Sequence, residues 1–156
     1  MPRVVLTPAD SDVELSYDER QKTLLDLWGF RCACDLCAAP KSVVAASDGR
    51  RRRIGELREQ TLQAAMEKRY AEAIGTAEEL VRVAEEEGIT AHISDFWEIL
   101  AKLHFNVWNL DRAARYVRLA IEEIDRYGAP GEAALQKLAV YNELLRDIAR
   151  RKRHGR

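Results

Sequence analysis

Apolar residues recur with a helical period along most of the chain. Residues 18–28 form the first such stretch, and Gly29 is suited to end it. The apolar residues of this stretch lie on one helix face: Leu24, Leu25 and Trp28. Residues 38–42 have the composition of a linker, and Ser47–Asp48 carries residue types that cap the start of a helix. The pattern therefore predicts a mainly α-helical chain.

The helical pattern repeats after forty residues. Two stripes step through positions i, i+4, i+7, i+8 and i+11, the first from Ala73 to Ala84 and the second from Ala113 to Ile124. Each stripe is followed by a glycine, Gly88 or Gly128. The preceding helices share the offset, so that Leu57 corresponds to Trp97. Two helix-turn-helix units predict stacked antiparallel hairpins, and the apolar stripe within residues 132–151 predicts a last helix that caps them.

The second unit resembles a tetratricopeptide repeat. Its aromatic, leucine and small-residue positions match: Trp97, Leu100, Ala101, Ala113 and Ala120. His104 and Trp108 stand where tyrosine and glycine are usual, so we expect an unusual turn between residues 106 and 111. The first unit matches less well, with Gln60 in place of a leucine. The resemblance implies a tetratricopeptide-like stack of helical hairpins over residues 41–156.

Length and composition suit this helical interpretation. The chain has 156 residues, of which 47% are hydrophobic and 33% charged, as expected of a folded helical protein and not of a disordered one. The net charge of −1 excludes no class of partner. No run of eighteen apolar residues occurs and no signal-peptide core follows Met1, so we expect no membrane partner.

All three cysteines fall within six positions, at Cys32, Cys34 and Cys37. A tight turn brings sulfurs at this Cys-x-Cys-x-x-Cys spacing to three corners of a tetrahedron, which is the geometry of a zinc site that takes its fourth ligand from elsewhere. The alternative is three buried, unpaired cysteines that act as small apolar side chains. An odd number of cysteines at metal-type spacing favours a reducing compartment, the cytosol or the nucleus.

The sequence around the cysteines resembles the end of a SET domain followed by its post-SET segment. The resemblance rests on Glu19-Arg20-Gln21, on Leu24-Leu25 and on the stretch from Trp28-Gly29-Phe30 to Cys37. It is closest to the SET-and-MYND-like and fungal SET proteins, which are S-adenosylmethionine-dependent protein lysine methyltransferases with a helical C-terminal region. The resemblance implies one zinc ion, held by Cys32, Cys34 and Cys37 and by a cysteine from an upstream Asn-His-Ser-Cys segment. It also implies that Phe30 walls the cofactor and lysine pocket.

Other parts of a SET domain are missing from the sequence. The chain has neither a Gly-x-Gly cofactor loop nor an Asn-His-Ser-Cys segment, and it has few residues ahead of Trp28. We therefore expect a C-terminal piece of such a protein, with the SET end and zinc knuckle in residues 1–40 and the helical domain in residues 41–156. Such a piece would bind S-adenosylmethionine only within a full-length parent and would not catalyse methyl transfer alone.

The residues ahead of the first helix have two interpretations. Residues 3–7 favour a short strand. Leu15-Ser16-Tyr17 is similar to the family segment whose tyrosine lies at the methyl-transfer site. Alternatively, Ser16-Tyr17-Asp18 leads into the helix, and the catalytic segment would fall near residues 4–7, where there is no tyrosine. The short spacing to Glu19 favours the second alignment, and we assign no catalytic residue.

Two functions follow from these patterns. The first is the C-terminal portion of a lysine methyltransferase-like protein, whose helical region positions a histone or another lysine-containing tail. The second is a non-enzymatic adaptor that binds peptides and uses a structural zinc knuckle. Four aromatic residues fit seam packing better than a peptide groove: Phe96, Trp97, Phe105 and Trp108.

Histidines and basic runs offer weaker signals. His104 could supply the fourth zinc ligand but fits a core residue better, and His92 and His154 are no stronger. The basic runs at residues 50–53 and 150–154 fit solvated helix ends better than a phosphate-binding site. We therefore do not expect direct nucleic-acid binding.

Overall fold

The computed structural model describes residues 14–89, 92–127 and 131–154, which form six helices. Their bounds are α1 Tyr17–Trp28, α2 Lys41–Met66, α3 Tyr70–Glu87, α4 Ile93–Asn106, α5 Leu110–Tyr127 and α6 Glu132–His154. This part of the chain contains no strand, so the prediction of a mainly α-helical fold is confirmed. The strand expected at residues 3–7 lies outside the described residues.

Capping residues define both ends of helix α1. Ser16 is its N-cap, and the Glu19 carboxylate accepts the Ser16 backbone N–H at 2.8 Å, which completes a capping box. Gly29 ends the helix in the left-handed conformation, with φ of +71°, and its N–H donates to the Leu25 carbonyl at 3.0 Å. Tyr17 is the first helical residue, one position ahead of the predicted start at residue 18.

The forty-residue repeat is present in the backbone. Helices α2 and α4 end forty residues apart, at Met66 and Asn106, and each is followed by one residue in the left-handed region. That residue is Lys68, with φ of +59°, in the first turn and Trp108, with φ of +61°, in the second. Two hairpins, α2–α3 and α4–α5, therefore share one turn geometry, and the second turn has a tryptophan at a position that favours glycine.

Three apolar clusters join the hairpins into one stack. Ile54 and Leu57, midway along α2, lie in the same cluster as Phe96, near the start of α4. Further along, Ala64 of α2 shares a cluster with Leu103 of α4. Since the middle of α2 lies beside the start of α4 and the end of α2 lies beside the end of α4, the two helices run in the same direction, antiparallel to α3 and α5.

Helix α6 lies alongside α4 in the same direction. In the middle of α6, the Tyr141 hydroxyl donates to the Ser94 carbonyl at 3.4 Å. Near its end, the Arg151 guanidinium donates to the Phe105 carbonyl at 3.2 Å and stacks on the rings of Phe105 and Trp108, at 3.8 and 4.8 Å from their centroids. The predicted last helix is thus confirmed, and α2, α4 and α6 form one layer of parallel helices.

The expected helix start at Ser47–Asp48 is wrong. Helix α2 already begins at Lys41, after Pro40, and Ser47 is a buried residue within it. The Ser47 hydroxyl donates to the Glu87 carboxylate at the end of α3. The arginine run at residues 50–53 lies inside α2, so its predicted place at a solvated helix end is wrong.

Carboxylates from the hairpin neutralise most of this arginine run. Arg50 Nε and Arg51 Nε each lie 2.8 Å from an oxygen of Glu87. Arg53 pairs with Glu79 at 2.9 Å. The run at residues 50–53 therefore joins α2 to α3 through ion pairs, which explains its presence without a phosphate ligand.

Candidate metal centre

The cysteines lie on a compact turn between α1 and α2. The chain has no regular secondary structure from Phe30 to Ala33 and then turns through residues 34–39. The Ala38 N–H donates to the Cys34 carbonyl at 2.9 Å, and the Ala39 N–H donates to the Leu36 carbonyl at 3.2 Å. Pro40 then leads directly into α2. The turn folds the Cys-x-Cys-x-x-Cys segment back on itself.

The structure brings all three thiols together. The sulfurs of Cys32, Cys34 and Cys37 lie within 4.8 Å of one another, and no disulfide joins them. A tetrahedral zinc site with Zn–S bonds of about 2.3 Å has sulfurs roughly 3.8 Å apart, so small side-chain rotations would close the set on one ion. Three cysteines that could hold a metal ion are thus a feature of this fold. The alternative of three buried, unpaired cysteines is wrong in one respect, because Cys34 is exposed and the other two are only half-buried.

Hydrogen bonds lower the pKa of the Cys34 thiol and so favour its thiolate, which is the form that binds metal ions. Burial raises the pKa of Cys34, but backbone N–H groups of Cys37 and Leu36 and the thiols of Cys32 and Cys37 outweigh it, and the net pKa is lowered. Burial and the two neighbouring sulfurs raise the pKa of Cys37 to about 12. Three thiolates this close repel each other, and a bound cation removes that cost.

A buried glutamine fixes the position of the knuckle relative to α1. The side-chain amide of Gln21 donates to the Cys32 carbonyl at 2.8 Å, and its oxygen accepts the Cys32 N–H at 2.9 Å. Gln21 is only 5% exposed and Cys32 is half-buried, so this paired contact is partly shielded from water. The Glu-Arg-Gln sequence carried the family resemblance, but the supporting role of Gln21 was not predicted, because it depends on a partner eleven residues away.

Polar contacts connect α1 to α2. The Asp48 carboxylate accepts the Tyr17 N–H at 2.8 Å and lies 3.7 Å from the Arg20 guanidinium. Ahead of α1, Glu14 pairs with Arg58 at 2.8 Å. The turn that carries the three cysteines is therefore connected to the helical stack through α1 as well as through the chain itself.

The other predicted residues lie elsewhere or have no partner in the cluster. Phe30 is half-buried two residues before Cys32, and its role beside a cofactor stays a prediction. His104 is 2% exposed within α4 and stacks on Tyr116 with 5.5 Å between ring centroids. It does not belong to the cysteine cluster. Phe96 is buried in the seam as predicted, whereas Trp108 is 62% exposed.

Comparison with known proteins gives no match to a family model, to a curated protein or to a solved structure. Within the described residues, no helix combines the length and the apolar character that crossing a membrane requires.

Proposed function

We propose that this chain is the zinc-binding and helical C-terminal part of a protein lysine methyltransferase-like SET protein. The observation that supports the proposal most is that the thiols of Cys32, Cys34 and Cys37 lie close together on one turn, which Gln21 of α1 binds through two hydrogen bonds. Zinc fits this set because it favours thiolates in a tetrahedral arrangement. The ion would be structural, and a cysteine outside residues 1–156 would complete it.

In this proposal the metal holds the cysteine knuckle beside α1 and performs no chemistry on a substrate. Binding would fix the knuckle beside α1, with Phe30 at its base, and the helical stack would extend from it to admit a lysine-containing protein tail. The chain by itself should transfer no methyl group. Labelled S-adenosylmethionine and histone substrate test this, and robust turnover by residues 1–156 would contradict it.

Zinc titration with a competing chromophoric chelator tests the metal centre. We expect one ion per chain and loss of binding in Cys34→Ser. Gln21→Ala should weaken zinc binding by about 10- to 100-fold, because groups that orient a ligand matter nearly as much as the ligand. Gln60→Ala, on the exposed face of α2, is the matched control and should bind normally. Equal affinity of Gln21→Ala and Gln60→Ala would refute the orienting role.

The coding sequence upstream of Met1 tests the family assignment. An in-frame Gly-x-Gly loop and Asn-His-Ser-Cys segment would support a methyltransferase parent and supply the fourth ligand. A genomic sequence that encodes neither would remove the SET interpretation and leave the metal-binding helical protein.

A second candidate function is a tetratricopeptide-like adaptor for peptides. Two observations favour it. The left-handed residues Lys68 and Trp108 stand forty positions apart in equivalent turns, and α2, α4 and α6 form one layer. Positions forty residues apart line the solvent side of that layer, and they are exposed: Leu62, Lys102 and Asn142.

Variants on the two sides of the stack test the adaptor hypothesis. Leu62→Asp and Lys102→Glu should abolish capture of a peptide that binds the α2–α4–α6 layer. Arg118→Glu, exposed on α5, should leave capture unchanged. A peptide library that yields no ligand sensitive to the first two variants would count against this function.

A further inference from the structure

We propose that the cysteine cluster of this chain is a binding site for trivalent, thiophilic ions that are satisfied by three sulfurs, with trivalent arsenic as the representative. The inference rests on the same three thiols as the zinc proposal. It concerns a different ligand class, and it requires no residue outside the chain.

The donor count favours such an ion. The chain contains three cysteines, and all three belong to the cluster. No histidine, aspartate or glutamate of the described ranges contributes a further donor atom to it. Zinc in a structural site needs four ligands, so these residues leave one zinc position to water or to another molecule. Trivalent arsenic forms three bonds in a pyramid, and its lone pair occupies the fourth direction, so three thiolates complete it.

The shape of the cluster also fits. Three sulfurs within 4.8 Å of one another form the base of a pyramid. Cys34 is exposed, while Cys32 and Cys37 are half-buried, so the ion can enter from solvent on the Cys34 side. The Gln21 contacts and the backbone bonds of the turn hold this base in place before the ion arrives, which reduces the entropy that binding must remove.

The binding step is a ligand exchange without a redox change. Arsenous acid, As(OH)₃, meets three thiols. Three As–O bonds and three S–H bonds break, three As–S bonds form, and each hydroxide leaves as water with one thiol proton. Arsenic stays trivalent and the sulfurs stay at the thiol level, so no oxidant or reductant takes part.

Arsenite titration of the metal-free chain tests the proposal. A phosphine reductant keeps the thiols reduced without adding competing sulfur. We expect saturation at one arsenic per chain, near-ultraviolet absorption from the As–S bonds, and an intact-mass gain of one arsenic atom less three hydrogens. Cys34→Ser leaves two thiols and should weaken binding at least tenfold, whereas Asp35→Asn in the same turn should bind as the wild type does.

Three results would overturn the inference: no saturable binding, a two-thiol adduct by mass, or equal affinity of wild type and Cys34→Ser. Circular dichroism on each variant shows that the helical stack is folded. Zinc titration in parallel separates the two proposals. Zinc binding without arsenic binding would refute the arsenic inference and leave the zinc proposal standing. Arsenic binding without zinc binding, even with added thiol, would refute the zinc proposal and leave the arsenic inference standing.

Discussion

The carboxylate of Glu87 provides the sharpest test of how the first hairpin is held together. Its side chain is 2% exposed and accepts contacts from Arg50, Arg51 and Ser47. Removing one partner of a buried ion pair costs about 3–5 kcal/mol, because the other charge remains without compensation. Arg51 is 14% exposed and Arg50 is 36% exposed, so solvent screens part of that cost for Arg50. We therefore expect Glu87→Gln to destabilise the fold by about 2–3 kcal/mol.

The adjacent glutamate supplies the matched control. Glu86 pairs with Arg82 one turn away, and both side chains are more than half exposed. Glu86→Gln should cost no more than about 0.5 kcal/mol. Urea unfolding followed by far-ultraviolet circular dichroism gives both free energies, provided that the urea dependence is unchanged. If Glu87→Gln loses no more stability than Glu86→Gln, the buried ion-pair cluster does not hold α2 to α3 as argued.

Three further perturbations probe the turns, the last helix and the buried histidine. Lys68→Gly should stabilise the chain by about 1 kcal/mol in urea unfolding, since φ of +59° favours glycine; a loss would contradict this. Arg151→Ala should cost about 0.5–2 kcal/mol through its lost stacking on Phe105 and Trp108, and an exposed α6 arginine changed to alanine should cost less. Burial lowers the pKa of His104 below its ordinary value of 6.5, so the unfolded chain binds the proton more readily. Stability should therefore fall as pH drops below about 6.5, and His104→Phe should weaken that pH dependence.

Periodicity alone predicted most of the helical architecture. The forty-residue offset located both hairpins. Each of the apolar stripes that end at Ala84 and Ile124 lies within a single helix, so it can be recognised from local sequence. Gly29 was recognised as the end of α1 because a left-handed C-cap is a local preference. The proximity of the three thiols followed from their spacing on a single turn.

Contacts between distant residues explain what was missed. Serine is a residue type that commonly caps helices, so Ser47 suggested a helix start. Its hydrogen-bond partner Glu87 lies forty residues away, and local sequence does not reveal that contact. The true start of α2 was obscured because its first turns carry the exposed Val43 and no regular apolar stripe. The sequence predicted an unusual turn near Trp108 but not its left-handed backbone conformation. The forty-residue offset does pair Trp108 with Lys68, which has the same conformation.

The attachment of α1 has a consequence for how the molecule opens. Among the described residues, none of α1 belongs to the three apolar clusters that join the other helices, and Tyr17 and Arg20 connect it to α2 through polar contacts with Asp48. Amide hydrogens of α1 should therefore exchange through a local opening that costs less than global unfolding. An ion bound in the neighbouring turn would slow that exchange in proportion to its occupancy, while protection in α4 and α5 stays constant.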